Sequence, residues 1–207
     1  MVNFPRNLSV CVLAAAGCSA LAAQNSGTPE ELLLDSASLT LDRATNLIHL
    51  RSPRISQGNL AIEADEALAT GIEFDQKSEW RFIGNVRITV DSAVIQAGSA
   101  VFTFDQEQLS HGELEGTPAT FADEDPARDK PIRGGANKLS YDYVARTLRL
   151  SDNAFVHKDQ YEIQGCDLIY DFADERVTSG SADCSELFRI RVLSSQDQQA
   201  PAAAPSP

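Results

Sequence analysis

From Phe82 to Val90 the chain reads FIGNVRITV, with apolar or small residues at Phe82, Gly84, Val86, Ile88 and Val90 and the polar Arg87 and Thr89 between them. A period of two sends successive side chains to opposite faces of an extended backbone, so this stretch predicts a strand with one face turned to a core. The pattern returns along the chain in ASLTLD (37–42), LIHLRSPRIS, NLAIEADEALAT, AVIQAGSAVFTFD, LSHGELEGTPATFAD, NKLSYDY, TLRLSDNAFVHK, YEIQGCDLIYDF, RVTSGSAD and LFRIRVL. Turn residues such as Ala44-Thr45-Asn46 separate the runs. Short strands spaced by about 8 to 15 residues, with hardly any 3.6-residue periodicity, predict an all-β sandwich, roll or barrel without a βαβ unit.

Two themes recur. Apolar-small-polar segments begin at Ile62, Ile95, Ile132 and Ile163, separated by 33, 37 and 31 residues. A strand with a central Asn precedes two of them, FIGNVRI around Asn85 and LSDNAFV around Asn153. The repeating unit is therefore a pair of strands, and a stack of such hairpins buries a continuous apolar lumen along its axis. A stack that does not close leaves strand edges at both ends, to be protected or used for pairing with another protein. The last run, LFRIRVL, alternates Phe188, Ile190 and Val192 with Arg189 and Arg191 and predicts an edge strand of this kind.

Composition narrows the partners. The 207 residues are 43% hydrophobic and carry a formal net charge of −13, from 17 basic and 30 acidic residues. No clustered basic surface is available for nucleic acid or for an anionic membrane. The opening MVNFPRNLSVCVLAAAGCSALAAQ has one cation, Arg6, an apolar run and the small-residue pattern Ala20-Leu21-Ala22. Residues 1–22 thus read as a secretory signal peptide too short to span a bilayer. A competing reading makes AAGC a lipoprotein cleavage box that leaves a lipid on Cys18. With cleavage after Ala22, Cys166 and Cys184 remain, an even pair in an oxidising compartment, which favours one structural disulfide. Residues 30–195 are expected to fold as one domain, and the Pro/Ala-rich residues 196–207 to form a disordered tail.

Catalytic and metal motifs are absent from the sequence. His49, His111 and His157 lie far apart, and no H-E-x-x-H, G-x-S-x-G, P-loop or G-x-G-x-x-G occurs. Acid groups at Asp123-Glu124-Asp125 and at Asp171 to Glu175 are read as solvated loop and turn residues. The expectation is a non-enzyme with neither metal nor cofactor.

The segments ISQGNLAIEADEA, FIGNVRITVDSAVIQAGSAVFTFD, LEGTPATF, IRGGANKLSYDYVARTLRLSDNAFV and YEIQGCDLIYDFADERV, from Ile55 to Val177, resemble the LptA/OstA-like family of lipopolysaccharide transport proteins. Gly116 to Phe121 stand where the family has its Gly-x-Pro-Ala-x-Phe turn and strand, and Gly134, Tyr141 and the Leu148 to Val156 strand also match. The residues before Ile55 fit loosely, and Phe74 to Trp80 look like an inserted strand or loop. The resemblance implies an open β-jellyroll of stacked strand pairs in the periplasm, binding lipopolysaccharide through the acyl chains of lipid A without catalysis. It also implies partners similar to the inner-membrane LptC and outer-membrane LptD components, and edge-to-edge homo-oligomers. Strict alternation then assigns Phe82, Val86, Ile88, Ile95, Val101, Leu139, Tyr141, Leu148, Leu150, Val156, Ile163, Leu168 and Tyr170 to a lipid-binding groove. Phe188, Ile190 and Val192 are assigned to partner pairing at the edge. Two alternatives stay open: an OstA-like structural or assembly module that pairs by its edges and carries no lipid, or an anchored LptC-like component.

Overall fold

The computed structural model describes residues 31–70, 77–105, 108–126, 130–180, 184 and 187–192. The expected signal peptide, Cys18 and the Pro/Ala tail lie outside them. Within them the protein is all-β, with fourteen strands joined in one antiparallel sheet. Six long strands form the body: β7 (Ser78–Val90), β8 (Ala93–Asp105), β9 (Gln108–Asp123), β10 (Ile132–Asp142), β11 (Thr147–Lys158) and β12 (Tyr161–Asp171). They pair in chain order, as hairpins with short turns dictate.

None of the six is straight. The register slips within every pairing: between Ile83 and Val86 in β7, Gln96 and Ser99 in β8, Ala136 and Lys138 in β10, and Ser151 and Ala154 in β11. These bulges align into a seam that crosses the sheet and bends every strand. Gly84, Asn85, Asp152 and Asn153 hold positive φ there, at 77°, 45°, 65° and 58°, the left-handed region that Gly, Asn and Asp tolerate best. Asn85 and Asn153, the central Asn residues of the sequence repeat, are therefore bend residues.

The short strands continue the same plan. β1 (Leu33–Asp35) with β2 (Ser38–Asp42), β3 (Leu47–Arg51) with β4 (Arg54–Gln57), and β5 (Leu60–Glu63) with β6 (Glu66–Thr70) are halves of three further bent strands. Backbone bonds carry the ladder over the seam between them: Ala37 N–H to Arg51 O, 2.9 Å; Ser52 N–H to Asp65 O, 2.7 Å; Asp65 N–H to Gly84 O, 2.9 Å. At the other end β13 (Arg176–Ser179) pairs the second half of β12 and β14 (Arg189–Val192) pairs the first half.

Bending doubles the sheet over on itself. One layer holds β1, β4, β5, β14 and the halves of the long strands that pair with them; the other holds β2, β3, β6, β13 and the remaining halves. Phe121 of β9 and Tyr170 of β12 prove the fold-over, with ring centroids 5.3 Å apart. In a flat sheet those strands would be separated by about 14 Å. The core lies between the layers, closed by the seam on one side and by the strand-end turns, the mouth, on the other. The predicted open β-jellyroll is the architecture observed.

Candidate functional site: an apolar track between two layers

Cross-strand partners place inward-facing residues in rows that run the length of the stack. In the first layer the row is Leu34, Ile55, Ile62, Ile88, Ile95, Phe121, Gly134, Val156, Ile163 and Ile190, each paired with the next. In the second it is Leu39, Leu50, Ala67, Phe82, Ala100, Leu114, Leu139, Leu150, Leu168 and Ser179. A further row in the second layer passes through Leu41, Ile48, Ala69, Trp80, Phe102, Gly112, Tyr141, Leu148, Tyr170 and Val177. Gly134 has no side chain for a physical reason: the Phe121 ring crosses it, and a Cβ there would lie 2.5 Å from Phe121 Cε1.

In mid-stack the rows are shut off from solvent. Phe82, Ile88, Ile95, Leu148, Leu150 and Tyr170 have no exposed surface, and Val86, Leu139, Tyr141, Val156 and Leu168 are buried too. At the two ends the same rows open. Leu39 is 62% exposed at one edge and Ile190 67% at the other, where Phe188 and Val192 are exposed as well. The track is thus enclosed along its length and apolar at both openings.

Of the thirteen residues assigned by alternation, eleven are buried in this interior and Ile163 packs half-buried against it. Val101 is a correction. It pairs with Arg81 and Glu113, on the face opposite Phe102. The bulge after Gln96 advances β8 by one residue, so Ala100, Phe102 and Phe104 turn inward and Val101 outward; strict alternation carried through a bulge fails by one position. The segment read as an inserted strand or loop ends in strand: Trp80 belongs to β7 and lies in the core, stacked against Phe82 at 6.5 Å. Residues 71–76 of that segment lie outside the described residues.

Asp123 is a second correction. It ends β9 at 1% exposure, not in a solvated loop. It accepts hydrogen bonds from Tyr170 Oη across the layers (3.2 Å) and from Ser92 Oγ (2.7 Å). Nearby, burial of the Tyr141 phenol, aided by the adjacent Tyr143, raises its pKa to about 12, so it stays neutral. Among the described residues no group of three His, Cys, Asp or Glu side chains could hold a metal ion.

The seam's far end carries the cysteines. Cys166 lies at the bend of β12, disulfide-bonded to Cys184 in the connection from β13 to β14, with Cα atoms 6.2 Å apart. Next to it Asp167 is buried beneath Arg149, which donates from Nε (2.8 Å) and Nη2 (2.6 Å). These hydrogen bonds and the Asp167 charge raise the Arg149 pKa further above its ordinary value.

Residues 61–176, the stretch that makes the bent-strand stack from β5 to β12, match the family model described as LptA/(LptD N-terminal domain) LPS transport protein. The chain belongs to this LptA/LptD N-terminal domain family. Similarity to the Lipopolysaccharide export system protein LptA of Haemophilus influenzae agrees, with 33% identity over 128 residues, covering 60% of this chain and 73% of that protein. The fold is also that of LptH from Pseudomonas aeruginosa, described as the LptA homologous periplasmic component of a lipopolysaccharide transport device. That structure matches with a TM-score of 0.51 and 12% identity, over 80% of this chain and 96% of that one. The LptA-family stretch includes Phe82, Ile88, Leu114, Tyr141 and Leu150, and so takes in most of the buried track.

Proposed function

We propose that this protein is a periplasmic carrier of lipopolysaccharide. It holds the acyl chains of lipid A between its two layers and passes the molecule along the stack toward the outer membrane. It does no covalent chemistry and uses no cofactor. The observation that carries this reading is the continuity of the apolar rows from one edge strand to the other in a chain of this family. A filled sandwich needs a core but has no reason to leave leucines bare at one end and Phe188, Ile190 and Val192 bare at the other. Burial stabilises an acyl chain by about 0.8 kcal/mol per CH₂, so an acidic protein can bind a phosphorylated lipid through its tails alone.

The edges supply the partners. Among the described residues β1/β2 and β13/β14 each pair on one side only. Their free sides support strand addition: to an LptC-like protein of the inner membrane, to an LptD-like protein of the outer membrane, and between copies of this chain, so that one track runs into the next. The Cys166–Cys184 bond would hold the last bent strand in position for that contact.

The solvent-free centre of the track favours one second reading, a module that pairs by its edges and carries no lipid. Native mass spectrometry of protein purified from periplasm, followed by lipid extraction, separates the two. Stoichiometric lipopolysaccharide supports the carrier. Lipid-free protein that also refuses added lipopolysaccharide supports the module.

A further inference from the structure

The two layers are joined differently on their two sides. On the seam side every long strand passes covalently from one layer to the other. On the mouth side no strand among the described residues crosses, and side chains span the gap. Arg146, in the turn from β10 to β11 of the second layer, donates from Nη2 to Asp91 Oδ2 in the turn from β7 to β8 of the first, at 2.7 Å. Tyr170 of the second layer donates to Asp123 of the first at 3.2 Å. Lys158, at the first-layer end of β11, lies 3.4 Å from Glu175 in the turn from β12 to β13. These three contacts follow one another along the mouth toward the C-terminal edge. Between the first two a cavity of about 260 Å³ is lined by Asp91, Ser92, Asp123, Tyr141, Arg146 and Phe172.

We propose that the mouth parts to admit lipid and to let its polar head travel outside while the tails move along the track, and that Arg146, Lys158 and Tyr170 act as latches on it. The inference rests on the carrier function proposed above. A lipid with several acyl chains and a large polar head cannot be threaded lengthwise through a closed core; its head has to stay in water while its tails are buried. The seam cannot admit it, because there the layers share one backbone and bulge residues hold the bend. The mouth can, since separating the layers there breaks only side-chain contacts. Two of the latches are ion pairs with about half of each side chain in solvent, and such pairs open readily. When the layers part, the buried rows of both become the walls of an open trough.

The test is to hold the mouth shut. A Lys158→Cys, Glu175→Cys variant bridged by a short bismaleimide, which spans the gap left by the two shorter side chains, joins the layers covalently, without touching the native disulfide if no reductant is used. Uptake of fluorescent lipopolysaccharide is then compared for the parent, the unbridged variant and the bridged variant. The expected result is equal uptake by the first two and at least tenfold slower uptake by the third. Equal uptake by all three overturns the latch inference and assigns access to the open edges. A parent that takes up nothing overturns the carrier function itself, a separate outcome. As a converse, the Arg146→Gln, Lys158→Gln, Tyr170→Phe variant is expected to load several-fold faster; unchanged loading counts against the latches.

Discussion

Seam and mouth enclose the same core from opposite sides, and the sequence builds them from different materials. The seam is backbone: bulges, positive-φ Gly, Asn and Asp, and a ladder of main-chain hydrogen bonds that continues through Ser52, Asp65 and Gly84. The mouth is side chain: a buried carboxylate under a tyrosine and two half-exposed ion pairs. Opening the seam would require every strand to change conformation at once, whereas opening the mouth breaks side-chain contacts alone, and the apolar surface it bares is covered again by the tails of an entering lipid. A doubled sheet made this way is a hinged clasp, with its rigid and yielding sides specified by local chemistry.

The largest way to break the comparison is to charge what both sides enclose. Ile88 has no exposed surface, so Ile88→Glu buries an unpaired carboxylate and is expected to cost roughly 4 kcal/mol or more. Circular dichroism should show an early, broadened melt. A native-like melt would mean that the interior is already open to water.

Next comes the seam itself. A Cβ at Gly84 would fall 2.4 Å from Asp65 Oδ2, in a backbone with φ of 77°, and a β-branched side chain adds its own strain. Gly84→Val is expected to cost about 2 to 3 kcal/mol, read from the denaturant midpoint. A loss of only a few tenths would show that the bend does not depend on this residue.

At the mouth, Arg146→Gln should change global stability by less than about 1 kcal/mol, because both partners are half-exposed. Amide exchange around Val90, Ala93 and Tyr141 should nevertheless quicken while exchange at the seam does not. Uniform quickening at both sites would erase the distinction between them.

The smallest effect is confined to alkaline pH. Tyr141 has a folded pKa raised to about 12 from 10.0. Its contribution to stability is therefore intact below pH 10 and fades as pH rises from 10 toward 12, where the unfolded chain releases its proton first. Tyr141→Phe should flatten the stability curve in that window and leave neutral stability little changed; an unchanged curve would place the phenol in water.

Much of this was legible locally. Period-two runs located the strands, and the 31- to 37-residue spacing of Ile62, Ile95, Ile132 and Ile163 marked alternate bent strands that run in one direction. Eleven groove positions follow from parity alone, because a strand with one buried face must alternate. Val101 was misplaced because a bulge inserts one residue, and nothing in QAGSAV says on which side of it the phase changes. Trp80 was hidden for a related reason: Ser78-Glu79-Trp80 is too short a run to declare its parity without the partner strand. Asp123 looked like a loop acid because its neighbours Glu124 and Asp125 are loop acids, and its partner Tyr170 lies 47 positions away.

The sequence by itself determined the strand content, the hairpin repeat and the apolar character of the track, all of which depend on near neighbours. Tertiary structure alone decided which half of each strand joined which layer, and which turns met. The contacts that close the mouth join residues as far apart as Asp91 and Arg146, 55 positions in sequence. Such pairs leave no periodic trace in the chain, because it is the doubling of the sheet that brings them together.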